Sequence, residues 1–494
     1  MTRDRGICVI IPTYNNAGTV VDVVSRTLLQ CPDVFVVCDG CTDDTVSLLE
    51  NMPQKPRMVV LEKNRGKGAA LKAGFRAALD EGFAYAITLD ADGQHYPEDI
   101  PLFVEANIKF PGALIVGERK GLEGVERSAG SSFANKFSNF WFFVQTLHHL
   151  NDTQTGYRLY PLHKLHGLGL LTSRYEAELE LLVFAAWHGV EIESIAVNVY
   201  YPAPEDRVSH FRPGRDFARI SALNVVLCVL ALVYALPLAI VRFLVRLLST
   251  VIPLLIFITL ALVLFTPAAF IYLSVGKKTE HKKEVIHACL CRLNRVALRI
   301  ASVFGVKYSL HNPYNEDFSR PAIIICNHQS HLDLLPMMAL TPKLVIITAD
   351  WVWNNPLYGY IIRNIDFLPA SKGIETLAPE LKALADKGYS VAIYPEGTRS
   401  TDCSIGRFHQ GAFYLAEELG VDILPVVLYG SGRALPKHAK LLRRWPMRLE
   451  IDRRISPGEL RLLGDSSLSR ASAMRAGYRT RYGEIADEME KTQI

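Results

Sequence analysis

Hydrophobic positions in the first part of the chain form short strand-like runs separated by helical patterns. Four such runs, at residues 8–12, 34–38, 58–61 and 85–89, each end at a polar cluster. Strands that alternate with helices predict a parallel, doubly wound α/β sheet. Ligands of such sheets bind beyond the carboxyl ends of the strands, and all four polar clusters fall at these ends.

Two long apolar runs occupy the middle of the chain, at residues 220–241 and 247–275, and neither contains a charged side chain. Each run is long enough to cross a hydrocarbon core of about 30 Å as a helix. Only the segment RFLVR separates them, and basic residues flank the pair on both sides. Basic flanks predict an even number of crossings with both flanks on the cytoplasmic side. The sequence therefore predicts a helical hairpin or a shallow re-entrant pair, and a buried core helix is the alternative.

These runs divide the chain into three predicted parts: residues 1–219, a membrane segment at 220–276, and residues 277–494. Of the 494 residues, 49% are hydrophobic and 21% are charged, and the formal net charge is +4. This composition excludes a disordered chain, and the small net charge excludes a strongly basic nucleic-acid-binding protein. Nine cysteines without regular spacing, and no recognisable secretory signal, favour a reducing compartment with the catalytic parts facing the cytoplasm.

The polar clusters of the N-terminal part indicate a nucleotide-sugar. Asp90 and Asp92 follow the fourth apolar run, where two carboxylates can bind Mg²⁺ or Mn²⁺ that neutralises a diphosphate. Asp39, after the second run, can accept hydrogen bonds from a base or a ribose. Lys67 stands between two glycines and can bring positive charge to a phosphate. The alternative for each cluster taken singly is a solvated loop.

The motifs in this part are I-P-T-Y-N, D-G-C-T-D-D-T, N-R-G-K-G-A-A and L-D-A-D-G-Q-H, in that order. Over about residues 5–220 they resemble the family 2 glycosyltransferases, and most closely the branch that makes polyprenyl-phosphate sugars. The resemblance implies a nucleotide-binding GT-A fold and inversion of the anomeric centre by direct displacement. It assigns the metal to Asp90 and Asp92. It assigns the nucleotide-sugar to Pro12, Tyr14, Asp39, Lys67 and Asp90.

Family members use one carboxylate to deprotonate the acceptor. The first candidate for that base is Asp152 and the second is Glu178. The alternative for either is a structural carboxylate that pairs with Arg158 or Arg174. Two further arginines just before the apolar runs can hold an acceptor phosphate, or simply attract anionic lipid: Arg207 and Arg212.

The C-terminal part begins with a basic stretch, residues 277–307, whose net charge is +6. Its spacing predicts a basic amphipathic helix that lies on a membrane, or an ordinary surface helix packed on the domain. A buried strand at Ala322–Cys326 then ends at N-H-Q-S-H-L-D. There His328 precedes Asp333 by five residues, so the carboxylate can orient the imidazole, which removes a proton from a hydroxyl.

Four blocks between about residues 280 and 460 resemble the glycerolipid acyltransferases, including the acyl-glycerol-phosphate acyltransferases. They are N-H-Q-S-H-L-D, the stretch 355–369, Y-P-E-G-T-R-S and I-L-P-V-V. The resemblance implies acyl transfer from acyl-CoA or acyl-carrier protein to a hydroxyl, with His328 as base, Asp333 as its partner and no covalent acyl-enzyme. The acceptor-binding residues that it implies are Glu396, Gly397, Arg399 and Lys372. Lys372 stands near the position where the family usually has an arginine. This replacement departs from the family pattern that is expected for a lysophosphatidate acceptor.

We therefore predict a bifunctional membrane enzyme with an N-terminal GT-A domain, a central membrane segment and a C-terminal α/β acyltransferase domain. One domain transfers a glycosyl group to a lipid or lipid-linked acceptor, and the other esterifies a hydroxyl in lipid or glycolipid biosynthesis. Membrane lipids and acyl-carrier protein are the expected partners, and nucleic acid is not. Two alternatives stay open: a polyprenyl-phosphate sugar synthase with an inactive, lipid-binding C-terminal domain, and a non-enzymatic membrane scaffold.

Overall fold

The computed structural model describes residues 6–119, 129–200 and 213–491. The chain divides between Val241 and Arg242 into two compact units. Within the described residues, each unit contains one seven-stranded sheet with helices packed against it. The predicted α/β class is therefore confirmed for both ends of the chain.

The sheet of the N-terminal unit has the strand order β3-β2-β1-β4-β6-β5-β7. Its strands are β1 (Ile7–Thr13), β2 (Val34–Asp39), β3 (Arg57–Leu61), β4 (Tyr85–Thr88), β5 (Leu114–Arg119), β6 (Arg158–Pro161) and β7 (Ile192–Val197). Its helices before the apolar segment are α1 (Val20–Gln30), α2 (Thr45–Glu50), α3 (Lys67–Asp80), α4 (Ile100–Lys109), α5 (Ala129–Thr146), α6 (Leu162–Leu165) and α7 (Glu176–Trp187). The first four strands are parallel, as predicted.

One strand of this sheet departs from the predicted parallel arrangement. β6 runs antiparallel to both of its neighbours, β4 and β5. It has only four residues, R-L-Y-P, and they form no continuous apolar run from which a strand could be predicted. Its position matters for the site, because it brings the preceding segment, residues 152–157, beside the carboxyl end of β4.

The apolar segment forms one helix where we predicted two. Its α-helical parts are α8 (Pro213–Leu230), α9 (Leu236–Ile258) and α10 (Thr266–Ser274), joined by π-helical turns. Among the described residues, this is the one helix long and apolar enough to cross a membrane, over Phe217–Ser274. RFLVR contains no turn-forming residue, so the helix continues through it. The π-helical turns precede Pro237 and Pro267, whose rings disrupt regular α-helical hydrogen bonding.

The sheet of the C-terminal unit has the strand order β11-β10-β12-β9-β13-β14-β8. Its strands are β8 (Tyr308–His311), β9 (Ala322–Cys326), β10 (Leu344–Thr348), β11 (Leu368–Pro369), β12 (Ser390–Ile393), β13 (Asp422–Tyr429) and β14 (Met447–Ile451). Its further helices are α11 (Glu280–Val303), α12 (Leu334–Leu340), α13 (Asp350–Trp353), α14 (Gly359–Asn364), α15 (Ile374–Asp386), α16 (Gly411–Leu419), α17 (Ser431–Ala434), α18 (Pro457–Leu462) and α19 (Ser467–Lys491). β9 to β13 run parallel, so their carboxyl ends share one edge.

Helix α11 is the predicted basic amphipathic helix. Its apolar side packs on α12 and the core of the unit, where Ile286, Cys291 and Leu298 are buried. Arg292 and Arg299 are exposed on the opposite side. The apolar side is thus covered by protein, as expected for a surface helix packed on its domain, and the basic side faces outward.

Two candidate active sites

A buried ion cluster lies at the carboxyl edge of the N-terminal sheet. Lys67 Nζ, at the start of α3, is 2.7 Å from Asp90 Oδ1 and 3.0 Å from Glu178 Oε2 on α7. Burial opposes the charge on Lys67, but the two carboxylates outweigh it and raise the pKa of Lys67. Burial likewise opposes the charge on Asp90, and Lys67 contributes most to lowering its pKa. Lys67 and Asp90 therefore stay ionised, and their ion pair holds Asp90 in place.

Gly156 closes this cluster on one side. Thr88 Oγ1 donates to Gly156 O at 2.7 Å, which fixes the segment before β6 against β4. A Cβ atom at Gly156 would lie 2.7 Å from Lys67 Nζ and 2.8 Å from Asp90 Oδ2. Position 156 therefore has no room for a side chain unless the Lys67–Asp90 pair moves.

Asp92 is the second carboxylate at this edge, and its Oδ1 accepts the Gln94 backbone N–H at 3.0 Å. Burial and the neighbouring charge of Asp90 raise the pKa of Asp92 to about 6. Among the described residues, no group of three or more acidic, histidine or cysteine side chains could hold a metal ion. Two carboxylates nevertheless suit Mg²⁺ or Mn²⁺, since such ions commonly take one or two carboxylates and complete their shell with substrate phosphates and water. The donor set fits a cation that a diphosphate would complete.

Asp39 lies at the end of β2 and is buried. Its two carboxylate oxygens accept the backbone N–H groups of Arg65 and Gly66, at 2.8 and 2.7 Å. These bonds fix the loop before α3. A Cβ at Gly66 would lie 2.5 Å from Arg174 Cγ, and one at Gly68 would meet the start of α7 at similar distances. These glycines therefore permit close packing of α3 on the segment before α7, an interaction that the sequence did not indicate.

The first candidate base, Asp152, forms a bidentate ion pair with Arg119. Arg119 Nε and a terminal guanidinium nitrogen lie 2.5 and 2.7 Å from its two oxygens, and the Asp152 side chain is 2% exposed. Arg158 instead donates to the backbone oxygens of Glu178 and Thr153, both at 2.8 Å. The structural partner of Asp152 is thus Arg119, which we did not single out, although it ends a buried strand as the other site residues do.

Glu178, the second candidate base, is more available. Its Oε2 contacts Lys67, whereas its buried Oε1 has no hydrogen-bond partner among the described residues. Pro12 lies within β1 opposite Val37, and Tyr14 follows the same strand at the edge that carries Asp39 and Asp90. The predicted acceptor-binding residues Arg207 and Arg212 lie outside the described residues.

His328 and Asp333 form a hydrogen-bonded pair at the carboxyl end of β9. His328 Nδ1 is 2.8 Å from Asp333 Oδ2, which also accepts the backbone N–H groups of Gln329 and Ser330 at 2.7 and 2.9 Å. Because the buried carboxylate only accepts, Nδ1 carries the proton and the lone pair is on Nε2. The His328 side chain is 24% exposed, so a substrate can reach it. The structure therefore brings together the predicted base and its partner.

Glu396 lies beside this pair but points at the backbone. Its Oε1 accepts the His328 N–H at 2.8 Å, and its Oε2 accepts the Gly406 N–H at 2.6 Å. The residue is 5% exposed, and burial raises the pKa of Glu396. In this arrangement both oxygens of Glu396 hold the His328 loop against the loop at Gly406, rather than standing free for an acceptor.

The other predicted acceptor-binding residues are more open. Arg399 is half-buried, and its guanidinium pairs with no carboxylate among the residues that the structure describes. Gly397 is exposed in a turn with φ of +66°. Lys372 follows β11, three strands away from β9, and its Nζ is 3.5 Å from Glu380 Oε1. Arg399 is therefore the cation of this set whose loop directly adjoins His328, since Ser400 N donates to His328 O.

Comparison with known proteins matches each site to a family. Residues 8–162 match the family model described as glycosyl transferase family 2, and residues 307–429 match the model described as acyltransferase. Each match covers less than half of the chain and contains the centre of one site, Asp90 and Asp92 in the first and His328 and Asp333 in the second.

Three curated relatives resemble the chain over parts of its length. A UDP-N-acetylglucosamine–dolichyl-phosphate N-acetylglucosaminyltransferase of Methanococcus voltae is 26% identical over 220 residues, 40% of this chain and 87% of that protein. A polyprenol monophosphomannose synthase of Mycolicibacterium smegmatis is 32% identical, over 33% of this chain and 64% of that protein. A chloroplastic 1-acyl-sn-glycerol-3-phosphate acyltransferase, BAT2, of Brassica napus is 29% identical, over 30% of this chain and 44% of that protein.

The chain thus spans less than half of the length of the plant acyltransferase that it matches. The two family models match different parts of the chain, and the relatives are of the same two kinds, glycosyl transferases and acyltransferases. The resemblance predicted from the motifs is confirmed: the chain joins a segment of the glycosyl transferase family 2 type to a segment of the acyltransferase type.

Proposed function

We propose that this protein is a bifunctional membrane enzyme of lipid biosynthesis. Its N-terminal unit transfers a glycosyl group from a nucleotide-sugar to a lipid or lipid-linked acceptor. Its C-terminal unit transfers an acyl chain from acyl-CoA or acyl-carrier protein to a hydroxyl. The observation that carries the proposal is that each matched segment contains positioned polar groups. These are the Lys67–Asp90 pair in one, which Glu178 of α7 joins from just beyond the matched residues, and the His328–Asp333 pair in the other.

In the glycosyl transfer step, the acceptor oxygen attacks the anomeric carbon directly, the bond to the nucleoside diphosphate breaks, and the configuration at that carbon is inverted. A divalent cation bound by Asp90 and Asp92 would neutralise the departing nucleoside diphosphate. A phosphate monoester acceptor, such as the dolichyl phosphate in the name of the Methanococcus voltae relative, is largely deprotonated near neutral pH and needs no general base. The bidentate pairing of Asp152 with Arg119 favours such an acceptor, whereas a hydroxyl acceptor would require Glu178 as the base.

In the acyl transfer step, His328 Nε2 takes the proton of the acceptor hydroxyl while the hydroxyl oxygen attacks the thioester carbonyl. The tetrahedral intermediate then collapses, the C–S bond breaks, and the thiolate leaves with the proton that His328 returns. Asp333 stabilises the imidazolium between these events, which is the role of a buried carboxylate bonded to Nδ1–H. No covalent acyl-enzyme is required.

The proposed partner of both units is a membrane whose lipids include anionic species. The Phe217–Ser274 helix is strongly apolar, and only 11% of its most apolar window is buried within the protein. Leu442 N donates to Thr250 Oγ1 on this helix at 2.8 Å, which ties the basic segment at 437–444 to it. Together with the outward basic side of α11, that segment would face lipid headgroups on the cytoplasmic side.

The test is a donor screen on the purified full-length chain. Nucleotide-sugars with Mn²⁺, and acyl-CoA or acyl-carrier-protein thioesters, are supplied with lipid extracts, and the products are identified by mass spectrometry. We expect turnover of both kinds of donor. Turnover of the sugar donor alone would support the alternative with an inactive C-terminal domain, and turnover of neither would support a scaffold and overturn the proposal.

Gly156→Ala is expected to reduce glycosyl transfer by about 100-fold and to leave acyl transfer unchanged. The new Cβ would displace Lys67 or Asp90, and misplacement of a reacting site by about 1 Å commonly costs this much. Initial rates with each donor measure the effect. Gly169→Ala is the matched control, since its Cβ would meet nothing within 4 Å. Equal rates for Gly156→Ala and Gly169→Ala would contradict the placement of the catalytic centre at this cluster.

Glu396→Gln is expected to lower kcat for acyl transfer by about tenfold or more without raising the acceptor KM. Glutamine has one acceptor oxygen, so its NH₂ group would face an N–H and one of the two backbone bonds would be lost. Steady-state kinetics with varied acceptor measure both constants. Arg399→Gln is the comparison, and there we expect the acceptor KM to rise. A raised acceptor KM with unchanged kcat in Glu396→Gln would show instead that Glu396 holds the acceptor.

A further inference from the structure

The aromatic ring of Tyr394 lies against the proposed base of the acyltransferase unit. Tyr394 directly follows β12, and its ring stacks on the imidazole of His328 with centroids 4.3 Å apart and planes inclined by 25°. The loop that follows Tyr394 holds the backbone of His328, because His328 N donates to Glu396 Oε1 and Ser400 N donates to His328 O. One face of the imidazole is therefore covered by a flat, fixed surface.

The hydroxyl of Tyr394 supplies a second, independent observation. Its oxygen is buried and has no hydrogen-bond partner among the described residues, and the same holds for Asp333 Oδ1. Burial, then Cys326, then the charge of Asp333 raise the pKa of Tyr394, so this hydroxyl lies within the field of that carboxylate. A buried hydroxyl and a buried carboxylate oxygen are each costly when unpaired. One water between them, which accepts from the hydroxyl and donates to the carboxylate oxygen, would satisfy both.

We propose that Tyr394 is a positioning residue for acyl transfer, whose ring fixes the plane of His328 and whose hydroxyl is linked to Asp333 Oδ1 through one water molecule. This proposal rests on the acyl transfer proposed above. Asp333 keeps Oδ2 for His328 Nδ1–H, and Nε2 stays directed at the acceptor hydroxyl. Tyr394 itself transfers no proton, since it stays protonated throughout.

The hydrogen bond to Asp333 Oδ1 also affects the electrostatic environment of His328. A hydrogen bond to Oδ1 offsets part of the negative charge of Asp333, so its loss leaves more charge to stabilise the imidazolium. The base form of His328 would then be reached only at higher pH. Two other titratable groups lie near the imidazole: Glu396, which accepts the His328 backbone N–H, and His331. Arg399 is the charged group near His331. None of these is altered by a substitution at Tyr394.

Two substitutions separate the ring from the hydroxyl. Tyr394→Phe is expected to lower kcat for acyl transfer by about tenfold, as for one lost bond to a charged group, and to move the acid limb of the pH–rate profile to higher pH. Tyr394→Leu removes the stacked ring as well and is expected to lower kcat by about 100-fold. The KM values for thioester and acceptor should stay unchanged in both. Tyr414→Phe, on α16 at the edge of the same core, is the control and should behave as the wild type.

A wild-type rate and pH profile in Tyr394→Phe would overturn the role of the hydroxyl, and a wild-type kcat in Tyr394→Leu would overturn that of the ring. If the wild-type chain transfers no acyl group at all, the proposed function has failed, which is a different outcome. The hydroxyl is then tested without turnover, by the pH dependence of diethyl pyrocarbonate modification of His328 followed by peptide mass spectrometry. We expect the midpoint to rise in Tyr394→Phe, and an unchanged midpoint would overturn the proposal.

Discussion

His328→Ala is expected to lower acyl transfer by roughly 10²–10⁴-fold, the range for loss of a general base, and to leave glycosyl transfer at its wild-type rate. The reason is geometric: Nε2 of His328 is the basic atom that the Asp333 bond orients outward, at the carboxyl end of β9. The measurement uses one preparation of the full chain with each donor in turn. Because the His328 side chain is partly exposed, we expect the thermal unfolding midpoint to change little.

The matched control is His331→Ala. His331 lies on the same loop three residues further on, and no carboxylate orients its ring among the described residues. Burial, Arg399 and His328 lower the pKa of His331, so it is neutral at pH 7 and adds no charge to the site. We expect His331→Ala to retain acyl transfer within a few-fold. Equal loss in both variants, or retention in both, would contradict the assignment of His328 as the base.

Much of the fold could be predicted because a continuous apolar run marks a strand that is buried on both faces. β1, β2 and β4 are buried along their whole length, as the central strands of a parallel sheet must be. The same rule located the sites. Parallel strands end at one edge, so Asp39 and Asp90 had to lie near each other once β2 and β4 were identified.

The partners of the site residues could not be predicted in the same way. A sequence shows which positions carry charge, but the choice of partner depends on which loops the fold brings together. Asp152 pairs with Arg119, 33 residues away, across a strand pair that includes the unpredicted antiparallel β6. Glu396 likewise uses its oxygens on backbone N–H groups, which every residue except proline offers and which no motif distinguishes.

The composition of the apolar segment predicts that it is helical and apolar enough for a membrane, but not whether the chain turns within it. Length and hydropathy predict membrane contact, but the turn between the two runs rests on the basic residues that flank the pair, not on turn chemistry. Arginine, leucine and phenylalanine are tolerated in helices, and the segment between the runs contains neither glycine nor proline. Local propensity therefore explains the uninterrupted helix better than charge placement does.

Asp92→Asn is expected to lower glycosyl transfer by about 10³-fold, since a cation that neutralises a leaving diphosphate contributes several kcal/mol, and to leave acyl transfer unchanged. The amide keeps the shape of the side chain and can keep the bond from Gln94 N, but it removes the second anionic ligand. Initial rates with a nucleotide-sugar donor at varied Mn²⁺ measure the loss. Asp44→Asn, an exposed carboxylate at the start of α2, is the control and should retain full activity.

Asp92 is also expected to make both Mn²⁺ binding and stability depend on pH. Because the pKa of Asp92 is raised to about 6, protons compete with Mn²⁺ below this pH, and the apparent Mn²⁺ affinity should fall about tenfold per pH unit there. In the metal-free chain, the protonated Asp92 carboxyl group contributes stability at pH values below the pKa that it has in the unfolded chain. This contribution is lost as the pH rises through about 6. Asp92→Asn should therefore raise the unfolding midpoint of the chelator-treated chain at pH 7 more than at pH 4. If Asp92→Asn changed the unfolding midpoint equally at both pH values and left the Mn²⁺ affinity unaltered, the assignment of Asp92 as a metal ligand would be wrong.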